Sequence, residues 1–240
     1  GRRKARGAVS TVWLLDLDNT LHDAMPVVFP RINLAMTEYV ARTVGLPHEE
    51  ASELRVHYWR KYGATLLGMV RHHGVDPHDF LRETHPFPDI HRIVRRDHRL
   101  VQAIRRLKGR RVIVTNAPMH YAARVVDALG IGRLVDGLVT IESMKFAGRI
   151  QPKPSKAMLR RLAARLRVPP HCCVLVEDSV ENLDSARAVG MRTVLVTGIG
   201  HGHRHPAERP RAGLGRRMDV QVQSFEHLPR KAVRTPHRAR

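Results

Sequence analysis

The chain has 240 residues, enough for one large domain or two small ones. Hydrophobic residues make up 42% of it, and with the 17 glycines added the apolar share matches that of folded proteins, which excludes disorder throughout. No stretch approaches the roughly 18 consecutive apolar residues of a membrane-spanning helix. We therefore expect a soluble protein without a membrane partner.

The net charge is +20, which suggests nucleic acid or an anionic membrane as a partner. The ends of the chain hold much of it: residues 1–7 contribute +4 and residues 198–240 contribute +7, while the remaining +9 is spread along the rest. Few aromatic residues alternate with the basic ones. We therefore expect solvated surface charge and no specific nucleic-acid site, although the basic ends are suited to weak contacts with polyanions.

The two cysteines, Cys172 and Cys173, are adjacent, a spacing that rarely permits an ordinary disulfide. They begin an apolar stretch, so we interpret them as buried small side chains. This usage favours a reducing, cytoplasmic setting. The basic start of the chain lacks a small-residue cleavage site, and we interpret it as a trimmed or fused terminus and not as a signal peptide.

Strand-like and helical patterns alternate along most of the chain. Strands are predicted at 11–17, 111–115, 172–176 and 193–196, with an edge strand at 219–222, and helices at 121–129, 155–166 and 180–189. This alternation predicts an α/β fold with a doubly wound parallel sheet. Ligands of such sheets bind at the carboxyl ends of the strands, where polar residues follow the predicted strands here.

Residues 22–92 interrupt the alternation with helical periodicity and no convincing strand. We interpret them as a helical cap, inserted after the first strand and lying over the strand ends. The predicted division is a basic tail at 1–8, an α/β core at 9–21 and 93–229, the cap at 22–92 and a second basic tail at 230–240.

Residues 198–217 are rich in Gly, His, Pro and Arg and are predicted to form a mobile loop within the core. His201, His203 and His205 alternate in this loop, a pattern that also suits Zn²⁺ or Ni²⁺. Because no cysteine or acidic ligand accompanies them, we interpret them as solvated side chains.

Asp16 and Asp18 follow the first predicted strand and are two residues apart, so both side chains point to the same side of it. Such a pair suits phosphoryl transfer: one carboxylate attacks phosphorus, and the other protonates the leaving oxygen and then deprotonates water. An Asp-rich strand end is also common as a turn or a helix cap.

The later strand ends supply the other groups that this chemistry needs, namely hydroxyl and backbone donors, a cation and more carboxylates. These residues are Thr115, Asn116, Lys153, Glu177 and Asp178. Helix capping or surface exposure explains each of them singly. Together they follow successive strands at one edge of the sheet, which favours a catalytic site.

Clustered carboxylates need a counter-ion, because two of them about 4 Å apart repel by roughly 4 kcal/mol at an effective dielectric of 20. Oxygen ligands beside a phosphate make Mg²⁺ the expected cofactor. Lys153 would offset charge on the transferring phosphoryl group.

These residues, in this order, resemble the four motifs of the haloacid dehalogenase (HAD) superfamily. The resemblance implies that Asp16 is the nucleophile and a metal ligand, and that Asp18 is the general acid/base and binds metal through its carbonyl. It makes Thr115 and Asn116 phosphate-binding residues. It also makes Lys153 the partner of Asp16 and of the phosphoryl group.

In the fourth motif the resemblance makes Asp178 the third metal ligand, assisted by Glu177, with Asn182 no closer than the second layer of residues. Dehalogenation has no use for an acid two residues after the nucleophile, so Asp18 favours phosphoryl transfer. The cap after the first motif implies a small phosphomonoester as substrate.

A closer resemblance is to the pyrimidine 5′-nucleotidase branch of the superfamily, through residues 58–63, the sequence Thr115-Asn116-Ala117, and Glu177-Asp178-Ser179 followed by Asn182. Tyr58 and Tyr62 would then contact the base of a nucleotide. Because they are four residues apart on a predicted helix, they also fit simple core packing. Glu177 departs from the branch, which usually has Asp there.

The expected function is thus a Mg²⁺-dependent phosphatase that forms an aspartyl-phosphate and acts on pyrimidine nucleoside 5′-monophosphates. Alternatives are a phosphatase for another small metabolite, such as pyridoxal phosphate or phosphoglycolate, and a phosphomutase. A non-catalytic protein associated with nucleic acid is the alternative from a different class.

Overall fold

A six-stranded parallel sheet lies at the centre of the computed structural model, which describes residues 10–198 and 218–228. The strands are β1 (Val12–Leu15), β2 (Arg110–Val114), β3 (Gly137–Val139), β4 (Lys145–Phe146), β5 (Arg149–Ile150), β6 (Cys173–Glu177), β7 (Arg192–Val196) and β8 (Val220–Val222). The sheet order is β3-β2-β1-β6-β7-β8, and β4 pairs with β5 in a separate hairpin. Both β1, which Asp16 directly follows, and β6, which ends at Glu177, are therefore central.

The described residues form the α-helices α1 (Val28–Val44), α2 (His48–Tyr62), α3 (Thr65–His73), α4 (Pro77–Thr84), α5 (Ile90–Ile93), α6 (His98–Arg106), α7 (Met119–Ala128), α8 (Lys156–Arg165) and α9 (Val180–Ala188). Helices from α6 onwards cover both faces of the sheet. Side chains alternate along β1: Trp13 and Leu15 pack with α6 and α7, whereas Val12 and Leu14 pack with α8 and α9. Both faces of the strand are buried, as expected for a doubly wound sheet.

Helices α1 to α4 form a separate layer with a core of its own, and all four lie within the segment that the sequence assigns to the cap. Tyr39 and Phe80 meet edge to face at a centroid distance of 5.0 Å in this core. Ile141, which precedes the β4–β5 hairpin, belongs to the same apolar cluster, so the cap layer also packs on the core side.

The structure confirms the predicted parallel α/β fold, including strand β8 at the edge of the sheet. The sequence patterns missed β3, the β4–β5 hairpin, α4, α5 and α6. The reason is local: β3 has three residues and each hairpin strand has two, too few to establish a period. The shortest helix, α5, has only four residues.

Cys172 and Cys173 are buried free cysteines, and burial raises the pKa of the Cys173 thiol to about 11. They pack as small apolar side chains, as expected. No helix within residues 10–198 or 218–228 has the length and apolar character needed to cross a membrane. The predicted tails, most of the predicted loop at 198–217 and its histidines lie outside the described residues.

Candidate active site

The loop after β1 places Asp16 and Asp18 at the carboxyl edge of the sheet. The Asp16 N–H donates to the Val176 carbonyl at 3.0 Å, so Asp16 still continues the pairing of β1 with β6. The chain then turns sharply at Asn19, which has a φ of 61°, a conformation that asparagine tolerates better than most residues. The Thr20 hydroxyl donates back to Asp16 Oδ2 at 3.0 Å and orients the carboxylate.

Lys153 joins the ends of two strands. Its Nζ lies 2.6 Å from Asp16 Oδ1 and 2.7 Å from Glu177 Oε2, and it is only 2% exposed. A buried ammonium needs such partners, because leaving one charge of a buried pair uncompensated is strongly destabilising. The sequence separations of 137 and 24 residues show that the sheet brings these groups together.

Burial and the neighbouring charges both act on the pKa values of Asp16 and Lys153, and both values end above their ordinary range. Burial and the neighbouring Glu177 raise the pKa of Asp16 to about 7, although Lys153 opposes this. Burial alone would lower the pKa of Lys153, but the charges of Asp16 and Glu177 outweigh it and the pKa of Lys153 lies above its ordinary value. The cluster thus holds more negative charge than Lys153 neutralises.

Asp18 sits beside this cluster and has its own partners. Its Oδ1 lies 2.8 Å from His22 Nε2 and accepts a hydrogen bond from the Tyr121 hydroxyl at 2.6 Å. Burial disfavours the ionised carboxyl, but these contacts outweigh it and leave the pKa of Asp18 below its ordinary value. Conversely, burial and the nearby charge of Asp18 raise the pKa of Tyr121, which keeps its hydroxyl protonated.

Thr115 and Asn116 follow β2, and Leu15 of β1 pairs with Ile113, so both residues lie at the edge that carries Asp16. The Thr115 hydroxyl oxygen accepts from the Ala117 N–H at 3.0 Å. The Asn116 amide makes two reciprocal bonds of 3.0 Å with the backbone N–H and carbonyl of Lys153. Asn116 therefore fixes the backbone of the lysine, a role that the sequence did not indicate.

Asp178 completes a group of three buried carboxylates with Asp16 and Glu177, and one oxygen of each lies within 4.8 Å of the others. Glu177 Oε1 also accepts from the Ser179 N–H at 3.4 Å, and Ser179 caps α9 through a bond from the Asn182 N–H. Hard oxygen donors of this kind suit Mg²⁺. The side chains present therefore fit the expected cofactor.

The structure places Tyr58 in the core of the cap, 7% exposed. The His72 ring stacks on the Tyr58 ring with the centroids 5.3 Å apart. The Tyr58 hydroxyl lies 2.9 Å from His73 Nε2. Tyr62 is half-buried, with its hydroxyl 2.6 Å from His72 Nε2. For Tyr58, this favours the packing alternative over contact with a base.

Sequence reasoning missed His22, Tyr121 and His85. His22 lies four residues after Asp18, and this spacing was its only signal in the sequence. Tyr121 is the first residue of the predicted helix 121–129, and nothing in the sequence distinguished it from the apolar residues of that helix. His85 is buried next to Tyr121, with ring centroids 5.8 Å apart, and burial lowers its pKa to about 4.

The sequence model of haloacid dehalogenase-like hydrolases matches residues 12–190, from the start of β1 to just past α9. The chain belongs to this family. Its match includes every residue of the site, from Asp16 to Asp178.

Several HAD relatives are named phosphoglycolate phosphatases. The one from Pseudomonas syringae pv. tomato is 25% identical, over 85% of this chain and 76% of that protein. The plasmid-encoded one from Cupriavidus necator is 27% identical, over 95% of this chain and 94% of that protein. Phosphate metabolism protein 8 of Saccharomyces cerevisiae is 23% identical over 77% of this chain, which covers 60% of the yeast protein.

Solved HAD structures share the fold. CbbY from Rhodobacter sphaeroides superposes with a TM-score of 0.59 at 20% identity, over 92% of this chain and 96% of that chain. L-2-haloacid dehalogenase from Xanthobacter autotrophicus gives a TM-score of 0.56 at 15% identity, over 92% and 97%. These similarities cover both the sheet and the helical insertion.

Proposed function

We propose that the chain is a Mg²⁺-dependent phosphatase that hydrolyses small phosphomonoesters through an aspartyl-phosphate. One observation carries the proposal: the buried Lys153 ammonium lies between Asp16 and Glu177, with the paired acid Asp18 two residues after Asp16. A lysine against one carboxylate oxygen orients the carboxylate and provides positive charge where a phosphoryl group would bind.

The proposed metal ligands are Asp16, Asp178 and the backbone carbonyl of Asp18, with Glu177 assisting. The bonds that Glu177 receives from Lys153 and Ser179 favour a supporting role for it. When bound, Mg²⁺ would offset the negative charge of the phosphate and of the three carboxylates. Its charge would also favour the ionised form of Asp16.

Asp16 is the proposed nucleophile. Its carboxylate oxygen attacks phosphorus, and the bond from phosphorus to the leaving oxygen breaks as Asp18 gives that oxygen a proton. Asp18 then takes a proton from water, whose oxygen attacks the same phosphorus. The bond to Asp16 breaks, phosphate leaves, and Asp18 holds its proton again. Thr115 and Lys153 bind the phosphoryl oxygens in both steps.

For the substrate, we propose a pyrimidine nucleoside 5′-monophosphate. The supporting observations are the cap segment 58–63 and its position, since Gly63 at the end of α2 lies against Pro154, the residue after the proposed catalytic lysine. A Cβ built on Gly63 would lie 3.8 Å from Pro154 Cδ. Tyr62 is thus carried by a part of the cap that adjoins the residue after Lys153.

Phosphoglycolate is the second candidate substrate. The relatives named phosphoglycolate phosphatases favour it, as does the burial of Tyr58 in the cap, which removes one of the two proposed contacts with a base.

The test is phosphate release with Mg²⁺ from UMP, CMP, dUMP, AMP, pyridoxal phosphate and phosphoglycolate. We expect the highest kcat/KM for the pyrimidine nucleotides and a loss of at least about 10³-fold in Asp16→Asn. Preference for phosphoglycolate would replace the substrate and keep the mechanism. Absence of release from every ester, or near-normal turnover by Asp16→Asn, would reject the proposed function.

A further inference from the structure

The proposed acid Asp18 is held by two residues from different parts of the chain. Tyr121 on α7 and His22 in the loop after β1 both contact Oδ1, at 2.6 and 2.8 Å. The Tyr121 hydroxyl donates to Oδ1, and His22 donates to the same oxygen in the tautomer that carries a hydrogen on Nε2. Both side chains are buried, and Tyr121 is only 1% exposed.

The two contacts fix the rotation of the carboxyl group. Because both end on Oδ1, they leave Oδ2 as the oxygen that can carry a proton to a substrate. A carboxyl group without them would rotate between its two oxygens. Proton transfer depends on such placement, since an acid must lie within hydrogen-bond distance of the atom that it protonates.

The position of the Tyr121 hydroxyl is itself determined by packing. The Tyr121 ring lies 5.3 Å from the Phe87 ring and 5.8 Å from the His85 ring, between centroids. Both neighbours lie where the chain returns from the cap layer to the core. His85 is in turn held by the Thr84 hydroxyl and the Leu81 carbonyl, at 3.0 and 3.2 Å from its Nδ1.

We propose that Tyr121 and His22 are positioning residues that hold Oδ2 of Asp18 for protonation of the leaving oxygen. The inference rests on the proposed phosphatase function and adds to it two residues that the catalytic motifs do not include. Neither side chain needs to contact the substrate, because each acts through Asp18.

The inference predicts a dependence on the leaving group. An alkoxide needs a proton as it departs, whereas p-nitrophenolate is stable without one. For kcat/KM, which reports the steps up to departure of the leaving group, loss of positioning should therefore affect alkyl phosphates much more than p-nitrophenyl phosphate. Hydrolysis of the aspartyl-phosphate does not enter this parameter.

The experiment compares kcat/KM of the full chain and its variants for p-nitrophenyl phosphate and for the best alkyl phosphate of the substrate panel. We expect Tyr121→Phe to lose about 10- to 100-fold on the alkyl ester and under about 3-fold on the aryl ester. His22→Ala should give the same pattern. His22→Gln should recover part of the loss, since its amide can donate from a position near that of Nε2.

Tyr39→Phe is the matched control, because the Tyr39 hydroxyl donates to Asp79 at 3.1 Å within the cap. It should change neither kcat/KM value. Melting temperatures of all variants show whether a loss of activity follows a loss of folded protein.

Equal losses on both esters, or no loss in Tyr121→Phe while the wild type is active, would overturn the inference and leave the phosphatase proposal intact. A wild type that releases phosphate from neither ester would overturn both.

Discussion

The site at the strand ends and the aromatic cluster of the cap, Tyr58, Tyr62, His72 and His73, are built in different ways. In the site, buried charged groups such as Lys153 and Asp16 contact each other although they lie 137 residues apart in sequence. In the cap aromatic cluster, rings from α2 and α3 meet within 15 residues of one another in sequence, and all of them except Tyr58 keep contact with solvent. The burial of charge requires specific partners, whereas the packing of rings tolerates many.

The comparison indicates which residues the chemistry constrains. Asp16, Lys153 and Glu177 have little reason to be buried together except to act on a charged ligand. Tyr58 and its neighbours have a sufficient reason in the packing of α2 on α3. The following predictions test this difference, beginning with the largest expected effect.

Lys153→Met should damage activity and folding together. We expect kcat to fall at least about 10²-fold. The free energy of unfolding of the metal-free protein at pH 8 should fall by about 3 to 5 kcal/mol, because Asp16 and Glu177 remain buried without their cation. Steady-state kinetics and urea unfolding measure the two effects. The exposed Lys156 gives the control, and a Lys156→Met variant that behaved the same would contradict the prediction.

Asp16→Asn should stabilise the metal-free protein as the pH rises. The pKa of Asp16 is raised from 3.8 to about 7 by burial and Glu177, so folding favours the protonated form. The stability from this proton is complete below about pH 4 and is lost as the pH rises through 7. The advantage of Asp16→Asn should therefore grow by about 1 to 3 kcal/mol between pH 5 and pH 8.

Urea unfolding in EDTA at the two pH values measures this advantage. Added Mg²⁺ should reduce it at pH 8, since the metal stabilises only the ionised wild-type carboxylate. A difference between the two proteins that did not change with pH would rule out a raised pKa at Asp16.

Gly68→Ala should destabilise the cap without altering the chemistry. A Cβ at this position would lie 2.2 Å from Tyr58 Cγ, closer than any real contact, and Tyr58 is buried and cannot easily move. We expect a loss of about 1 to 3 kcal/mol, although alanine is the better helix former. Thermal unfolding tests the sign of the effect. In a Tyr58→Ala background the same change should cost less, and equal costs would show that the two residues do not meet.

Tyr58→Phe and Tyr62→Ala should separate packing from substrate contact. Tyr58→Phe removes the hydroxyl next to His73 and should cost about 1 kcal/mol of stability with KM unchanged. Tyr62→Ala should raise KM for pyrimidine nucleotides by about 3- to 10-fold, as expected for the loss of one stacking contact. Unfolding curves and KM for UMP test the pair, and a KM change in Tyr58→Phe alone would reverse the assignment.

The sequence by itself determined the fold class and the edge of the sheet that carries the site. Apolar strands that end in Asp16, Thr115 and Glu177 could be recognised because burial of both sheet faces leaves a continuous apolar run. Their order along the chain then placed their ends at one edge. The family resemblance rested on these same residues.

Only the tertiary structure decided how Asp18 is held, that Asn116 fixes the backbone of Lys153, and that Tyr58 packs inside the cap. Each of these depends on contacts between segments far apart in sequence or on which face of a helix is covered. A local period reports that a face is apolar but not what lies against it. For this reason the sequence located the carboxylates of the candidate site, whereas the residues that contact them were visible only in the folded chain.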